Sequence, residues 1–137
     1  MKIFKFISHP IVVSFTFFMI LISGDHFGGF YLLYILMALP YGALHAILGF
    51  LGVTILVVNS AWHKIGLKHT SSAITNILGI FVLYVSLVSF FRLSWDENDN
   101  TFVQTIPLIS FFLFVLCSVS SLVSSVLEVS RAQSISK

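Results

Sequence analysis

The chain has 137 residues, of which 58% are hydrophobic and only 9% are charged, with a formal net charge of +2 and a mean hydropathy of +1.04. A soluble domain of this length could not carry so little charge without precipitating, so the composition excludes that class. The small positive charge reflects membrane orientation and does not indicate nucleic-acid binding. We therefore expect one polytopic membrane domain over residues 1–137, with the lipid bilayer as its surroundings.

The first uncharged run, residues 6–24, is long enough to cross a bilayer as a helix. Two lysines precede it and Ser23 and Gly24 end it, so it also has the outline of a secretory signal peptide. The small-x-small cleavage pattern is poor, because Ile22 would stand third from the end in a cut after Gly24. We therefore predict an uncleaved first transmembrane helix.

The second segment is the longest. Residues 26–63 carry no formal charge, and a helix over all of them would be about 57 Å long at about 1.5 Å per residue, nearly twice the roughly 30 Å hydrocarbon core. We predict a segment over 28–61 that kinks at Pro40, because proline lacks the N–H that an unbroken helix needs. In the alternative, residues 28–39 form an interfacial or re-entrant half-helix and 41–62 form the spanning helix.

Two further apolar runs predict spans over 71–92 and 104–127, which gives a four-transmembrane-helix bundle of the all-α class. With four spans, one side of the membrane receives six of the seven basic residues, namely Lys2, Lys5, Lys64, Lys68, Arg131 and Lys137. The positive-inside bias then predicts that both termini are cytoplasmic. The residue usage, rich in Ile, Phe, Ser, Lys and Asn, is typical of an AT-rich bacterial genome, so we expect the bacterial inner membrane.

Small and polar residues recur at steps of three or four along the later spans, which places them on one face of each helix. Because helices in lipid associate mainly through close packing and hydrogen bonds, such faces predict helix contacts, within the bundle or with a partner. The predicted contact residues are Gly42, His45, Gly49, Gly52, Asn59, Asn76, Gly79, Ser86, Ser121 and Ser125.

Candidate chemistry is sparse. His45 is the only titratable residue expected deep in the membrane, where ionisable groups are functional candidates by default. The ordinary interpretation of His45 is a neutral imidazole that donates a hydrogen bond to a carbonyl or serine of a neighbouring helix. Asp25 and His26 could form an outward-facing polar site, since a carboxylate can orient an imidazole, but a polar turn explains them more simply. No motif of a metal, phosphate or nucleophile site is present, and we expect no cofactor.

The faces of small and polar residues, together with the absence of catalytic motifs, favour a non-enzymatic accessory or assembly subunit of a larger membrane complex. The alternative is a homo-oligomeric channel or small transporter, with the serine-rich fourth span or the His45 face lining its path. A membrane-embedded enzyme that uses His45 with Asp25 or His26 is the third interpretation. The expected partner is accordingly a membrane protein or further copies of this chain.

Overall fold

A computed structural model describes residues 2–23, 28–63, 69–93 and 103–135, and this part of the chain is mostly helical. The helices are α1 (Lys2–Ile7), α2 (Pro10–Phe18), α3 (Tyr31–Ala38), α4 (Leu44–His63), α5 (His69–Leu93) and α6 (Thr105–Ile135), with a 3₁₀ turn at Leu39–Tyr41. Two strands, β1 (Leu21–Ser23) and β2 (Gly28–Phe30), form an antiparallel pair in which Leu21 faces Phe30.

Three helices in the described residues are long and apolar enough to cross a membrane, over Leu44–Trp62, Ser71–Leu93 and Thr105–Ser130. They indicate an integral membrane protein. The four-span bundle is not confirmed, because the first predicted segment does not form a helix of spanning length.

Residues 6–24 were expected to be one helix, but the structure divides them between the end of α1, α2 and β1. Pro10 is the physical reason for the first break: its ring would clash with the carbonyl of Phe6 and it has no N–H to donate. His9 is extended (φ −73°, ψ 132°), and its Nδ1 accepts from the Ile11 N–H at 3.3 Å, which caps α2. The nine residues of α2 are only about 13.5 Å long, less than half the core thickness.

The second segment takes the half-helix-plus-span form and is not one helix kinked at Pro40. Gly42 has a left-handed backbone (φ 69°). Its N–H donates to Leu39 O at 3.0 Å, and the Ala43 N–H donates to Ala38 O at 3.3 Å. This pair of bonds is a Schellman motif, which satisfies the last carbonyls of a helix and stops it. The chain then restarts as α4.

The long helices α4, α5 and α6 follow one another antiparallel, and α4 with α5 forms the most extensive contact. α2 packs on both α4 and α6, alongside the apolar core. We call the end of this bundle that carries Asn59, Ser72, Asn76, Ser121 and Ser125 the polar end. The opposite end, with Phe17, Tyr31, Phe90 and Phe114, is the aromatic end.

Candidate functional site

A cavity of about 720 Å³ lies at the polar end, between α1, the start of α2, α4, α5 and α6. About half of its lining residues are serine or asparagine, in a chain that is otherwise strongly apolar. The buried polar residues of the lining are Ser8, Asn59, Ser60, Ser72, Asn76, Ser121 and Ser125. Buried polar groups are costly in an apolar surrounding unless they are hydrogen-bonded, so their concentration here makes this cavity the candidate site.

Asn76 lies at the centre of the hydrogen bonding in the cavity. Its Nδ2 donates to Ser121 Oγ and to Ser125 Oγ, both at 2.8 Å, and so ties α5 to α6. Ser125 Oγ in turn donates to Ser121 O at 3.0 Å. The side chain is only 5% exposed, yet its Oδ1 has no hydrogen-bond partner. Asn76 therefore joins α5 to α6 through both of its N–H groups, and its Oδ1 is a buried acceptor without a partner.

A second amide ties α4 to α5 at the same end. Asn59 Nδ2 donates to the backbone carbonyl of Ser72 at 2.9 Å, and both residues are buried. Ser60, the next residue on α4, is also buried and lines the cavity. Polar side chains from all three long helices thus converge on one space.

The rim of the cavity carries the charged groups. Lys5 on α1 and Glu128 on α6 both line it, and both are exposed. Phe4 also lines the cavity and is 44% exposed. The hydroxyl of Ser8, the residue after α1, donates to the backbone carbonyl of Phe4. α1 therefore covers one side of the cavity at the end where the long helices meet solvent.

Toward the aromatic end the space between the helices is filled. The Tyr84 hydroxyl donates to Ser118 Oγ at 2.6 Å, since the Ser118 hydrogen is already donated to Val115 O. Beyond it the ring of Phe114 packs on that of Phe17 with centroids 5.6 Å apart, and the Phe17 ring meets the Tyr31 ring edge-on at 5.2 Å. These side chains close the bundle above the cavity.

His45 lies at the aromatic end, at the start of α4. Its ring meets the Phe90 ring edge-on with centroids 5.2 Å apart, and neither ring nitrogen has a hydrogen-bond partner. The expected hydrogen bond from this imidazole to a neighbouring helix is therefore absent from the described residues. The contact runs through the His45 backbone instead: Ser86 Oγ donates to His45 O at 2.7 Å and accepts from the Tyr31 hydroxyl at 3.0 Å.

The predicted glycines of α4 and α5 lie at close helix approaches. A Cβ on Gly52 would come within 2.6 Å of Leu83 Cδ2, and one on Gly79 within 2.7 Å of Leu56 Cδ2. A Cβ on Gly49 would meet Ile35 Cδ1 at 2.8 Å. These three glycines face neighbours within the same chain.

The structure thus divides the predicted residues into separate groups. Asn59, Asn76, Ser121 and Ser125 line the cavity, while His45 and Ser86 lie together at the aromatic end. Gly42 has nothing within 4 Å of where a Cβ would be, and it terminates a helix. Asp25 and His26 lie outside the described residues.

Sequence reasoning missed the part of the cavity that α1 supplies. Phe4 and Lys5 of α1 line it, as does Ser8 just after that helix, but their local sequence gave no sign that they return to α6. Glu128 was also missed, although it is a charged residue close to the end of the last span. Within the described residues no group of three or more His, Cys, Asp or Glu side chains could hold a metal ion.

No protein family, no curated protein and no solved structure matches this chain.

Proposed function

We propose that this protein is a non-enzymatic membrane subunit that holds a small polar ligand in the cavity at its polar end. The observation that carries the proposal is the concentration of buried serine and asparagine side chains from α4, α5 and α6 around one cavity. Buried polar groups are costly unless they are hydrogen-bonded, and a polar ligand can supply hydrogen bonds to those that face the cavity. The cavity volume of about 720 Å³ is within the range of small-molecule sites.

Binding is better supported than conduction, because buried side chains fill the space between the helices toward the aromatic end. The serine face of α6, which could line a path, ends at the Tyr84–Ser118 hydrogen bond and the packed rings of Phe114 and Phe17. A path through the interior of one chain would have to displace this aromatic cluster in every cycle. The third interpretation, an enzyme that uses His45, draws no support from an imidazole that packs on Phe90 with both nitrogens unpaired.

The accessory role remains part of the proposal in a modified form. The glycine faces of α4 and α5 are used for packing within the chain, so a partner would contact other surfaces, such as the apolar outer face of α6. With both termini in the cytoplasm of a bacterial inner membrane, as the positive-inside bias predicts, the cavity opens toward the cytoplasm. The subunit would then present its ligand at the inner surface of the membrane.

Native mass spectrometry after gentle solubilisation tests the proposal. We expect a small-molecule adduct on the protein, together with a larger membrane protein at fixed stoichiometry. The Ser124→Leu variant, which fills the cavity from α6, should lose the small adduct, and Ser120→Leu, one turn earlier and outside the cavity lining, should keep it. Protein that carries no small adduct, or one that Ser124→Leu leaves in place, would refute a binding role for the cavity.

A further inference from the structure

The rim of the cavity carries charges of both signs. We infer that the cavity binds a phosphate ester that also carries a primary ammonium group, as the phosphoethanolamine headgroup of a membrane lipid does. The inference rests on the proposed function of the cavity as a binding site. The charged rim, the free hydroxyl groups of the wall and the apolar edge together define this ligand class.

Two opposite charges face the cavity from different helices. Lys5 of α1 and Glu128 of α6 both line it, and neither forms an ion pair with a side chain that the structure describes. A ligand with only negative charge would be repelled by Glu128, and one with only positive charge would be repelled by Lys5. A zwitterion avoids both repulsions, because its oxyanion can lie near Lys5 while its cation lies near Glu128. Water screens these exposed side chains, so each charge changes the affinity by only a few-fold.

His9 adds a hydrogen-bond donor to the same lining. Its Nδ1 accepts from the Ile11 N–H at 3.3 Å, so the hydrogen of the neutral imidazole is on Nε2. Within the described residues this Nε2–H has no acceptor. The N-terminal segment thus offers the cavity the Lys5 ammonium and the His9 N–H, both of which only donate. A phosphate diester only accepts, so it matches them.

The wall of the cavity supplies hydroxyl groups that the protein leaves free. The Oγ atoms of Ser60, Ser72 and Ser124 form no hydrogen bond with the residues that the structure describes. Each of them keeps accessible surface, whereas Asn76 Oδ1 is fully enclosed. The three serines come from α4, α5 and α6, and each hydroxyl can donate to a phosphate or ester oxygen or accept from an ammonium. The wall therefore accommodates either end of a zwitterion, and the charged rim decides the ligand class.

The position of the cavity favours a lipid as the source of this headgroup. The spans Leu44–Trp62 and Ser71–Leu93 end and begin at the polar end, so the cavity lies where headgroups meet the hydrocarbon core. Phe4 and Leu127 are exposed at its edge, and Val123, one turn before Leu127 on α6, is exposed as well. A lipid can place its headgroup in the cavity and its acyl chains against this face of α6. The same headgroup can also arrive from water as a soluble ester.

Three lipids with identical acyl chains test the ligand class. The full chain in a neutral detergent is titrated with dioleoyl phosphatidylethanolamine, phosphatidylglycerol or phosphatidylcholine, and native mass spectrometry measures the bound fraction. Phosphatidylglycerol has the phosphate without an ammonium, and the ammonium of phosphatidylcholine cannot donate a hydrogen bond. We expect phosphatidylethanolamine to bind at least about fivefold more tightly than either control lipid.

Substitutions at the rim test each charge separately. Glu128→Gln should weaken phosphatidylethanolamine binding about threefold or more and leave phosphatidylglycerol binding unchanged or tighter, because only the first lipid has an ammonium for the carboxylate. Lys5→Gln should weaken the binding of both lipids, because both carry the phosphate. Lys5 and Glu128 are exposed, so neither substitution should affect folding.

Substitutions on α6 locate the binding in the cavity. Ser124→Leu should weaken phosphatidylethanolamine binding about tenfold or more, and Ser120→Leu, outside the lining, should change it less than about twofold.

Competition by glycerophosphoethanolamine, the same headgroup without acyl chains, identifies the source of the ligand. Displacement of the lipid by this soluble ester would show that a ligand from water suffices. Lack of displacement would show that the acyl chains are needed and that the ligand is the lipid. Both results support the inference.

The ligand class is wrong if phosphatidylethanolamine shows no preference over either control lipid, or if Glu128→Gln or Ser124→Leu leaves its binding unchanged. Tighter, Ser124-dependent binding of phosphatidylglycerol would replace the zwitterion by an anion and leave the cavity as a binding site. The proposed function fails separately, if the small adduct on gently solubilised protein is absent or insensitive to Ser124→Leu.

Discussion

The tightest approach of α4 to α5 gives the sharpest test of the packing. A Cβ placed on Gly52 would lie 2.6 Å from Leu83 Cδ2, 3.0 Å from Leu83 Cγ and 3.2 Å from the Gly79 carbonyl oxygen. Leu83 is fully buried, so its side chain has little room to move, and the Gly79 oxygen belongs to the backbone. Gly52→Ala should therefore force a local separation of the two helices.

The expected magnitude follows from two opposing effects. Overpacking of this kind costs about 1–3 kcal/mol, while replacing a helical glycine by alanine gains up to about 1 kcal/mol in helix propensity. We expect Gly52→Ala to lower the free energy of unfolding by about 1–2 kcal/mol. Gly29→Ala is the matched control: a Cβ there would meet Leu33 Cδ1 at 3.5 Å, an ordinary contact, so we expect a change within about 0.5 kcal/mol.

Unfolding with sodium dodecyl sulfate in mixed micelles, followed by circular dichroism, measures these differences. Leu83→Ala provides a second check, because it removes both side-chain atoms nearest the new Cβ. In that background Gly52→Ala should cost at least about 1 kcal/mol less than in the native chain. The reasoning is refuted if Gly52→Ala is as mild as Gly29→Ala, or if its cost is the same with and without the Leu83 side chain.

Two further predictions concern His45 and the orientation of the chain. In the same assay, His45→Leu should leave the free energy of unfolding unchanged or raise it by up to about 1 kcal/mol, because it removes two buried nitrogens that have no partner. A clear loss of stability would mean that the imidazole makes a contact that the structure does not show. In a variant that lacks Cys117, a cysteine introduced at Gly66 should not react with membrane-impermeant reagents in intact cells, and one introduced at Asn98 should react. Labelling at Gly66 would show that the predicted topology is reversed.

The long spans were the easiest part of the fold to predict from sequence. Uncharged runs placed helices over 71–92 and 104–127, and the structure has apolar helices over Ser71–Leu93 and Thr105–Ser130. Hydropathy succeeds here because a bilayer requires about 20 consecutive apolar residues in helical form. The same measure failed over 6–24, because it does not register that Pro10 stops a helix from continuing.

The candidate site was only partly predictable. Spacing placed Asn76 on one face of its helix and Ser121 with Ser125 on one face of another, since residues three or four apart share a face. Spacing alone gives no information on which faces meet or where a gap remains between them. The cavity depends on α1 lying against the end of α6, a contact between residues more than a hundred positions apart, and no local pattern encodes it.

The break after α2 also shows how a short, interrupted segment can lie against apolar spans. Backbone groups that leave a helix in such surroundings need partners, since lipid offers none. Here the Leu21 N–H donates to Ser110 Oγ at 2.9 Å, and Ile20 O accepts from the Tyr31 N–H at 2.7 Å. Ile20 and Ile22 are almost fully buried, so protein covers the extended residues. The N-terminal segment can therefore follow α6 from the cavity to Ser110 without being one continuous helix.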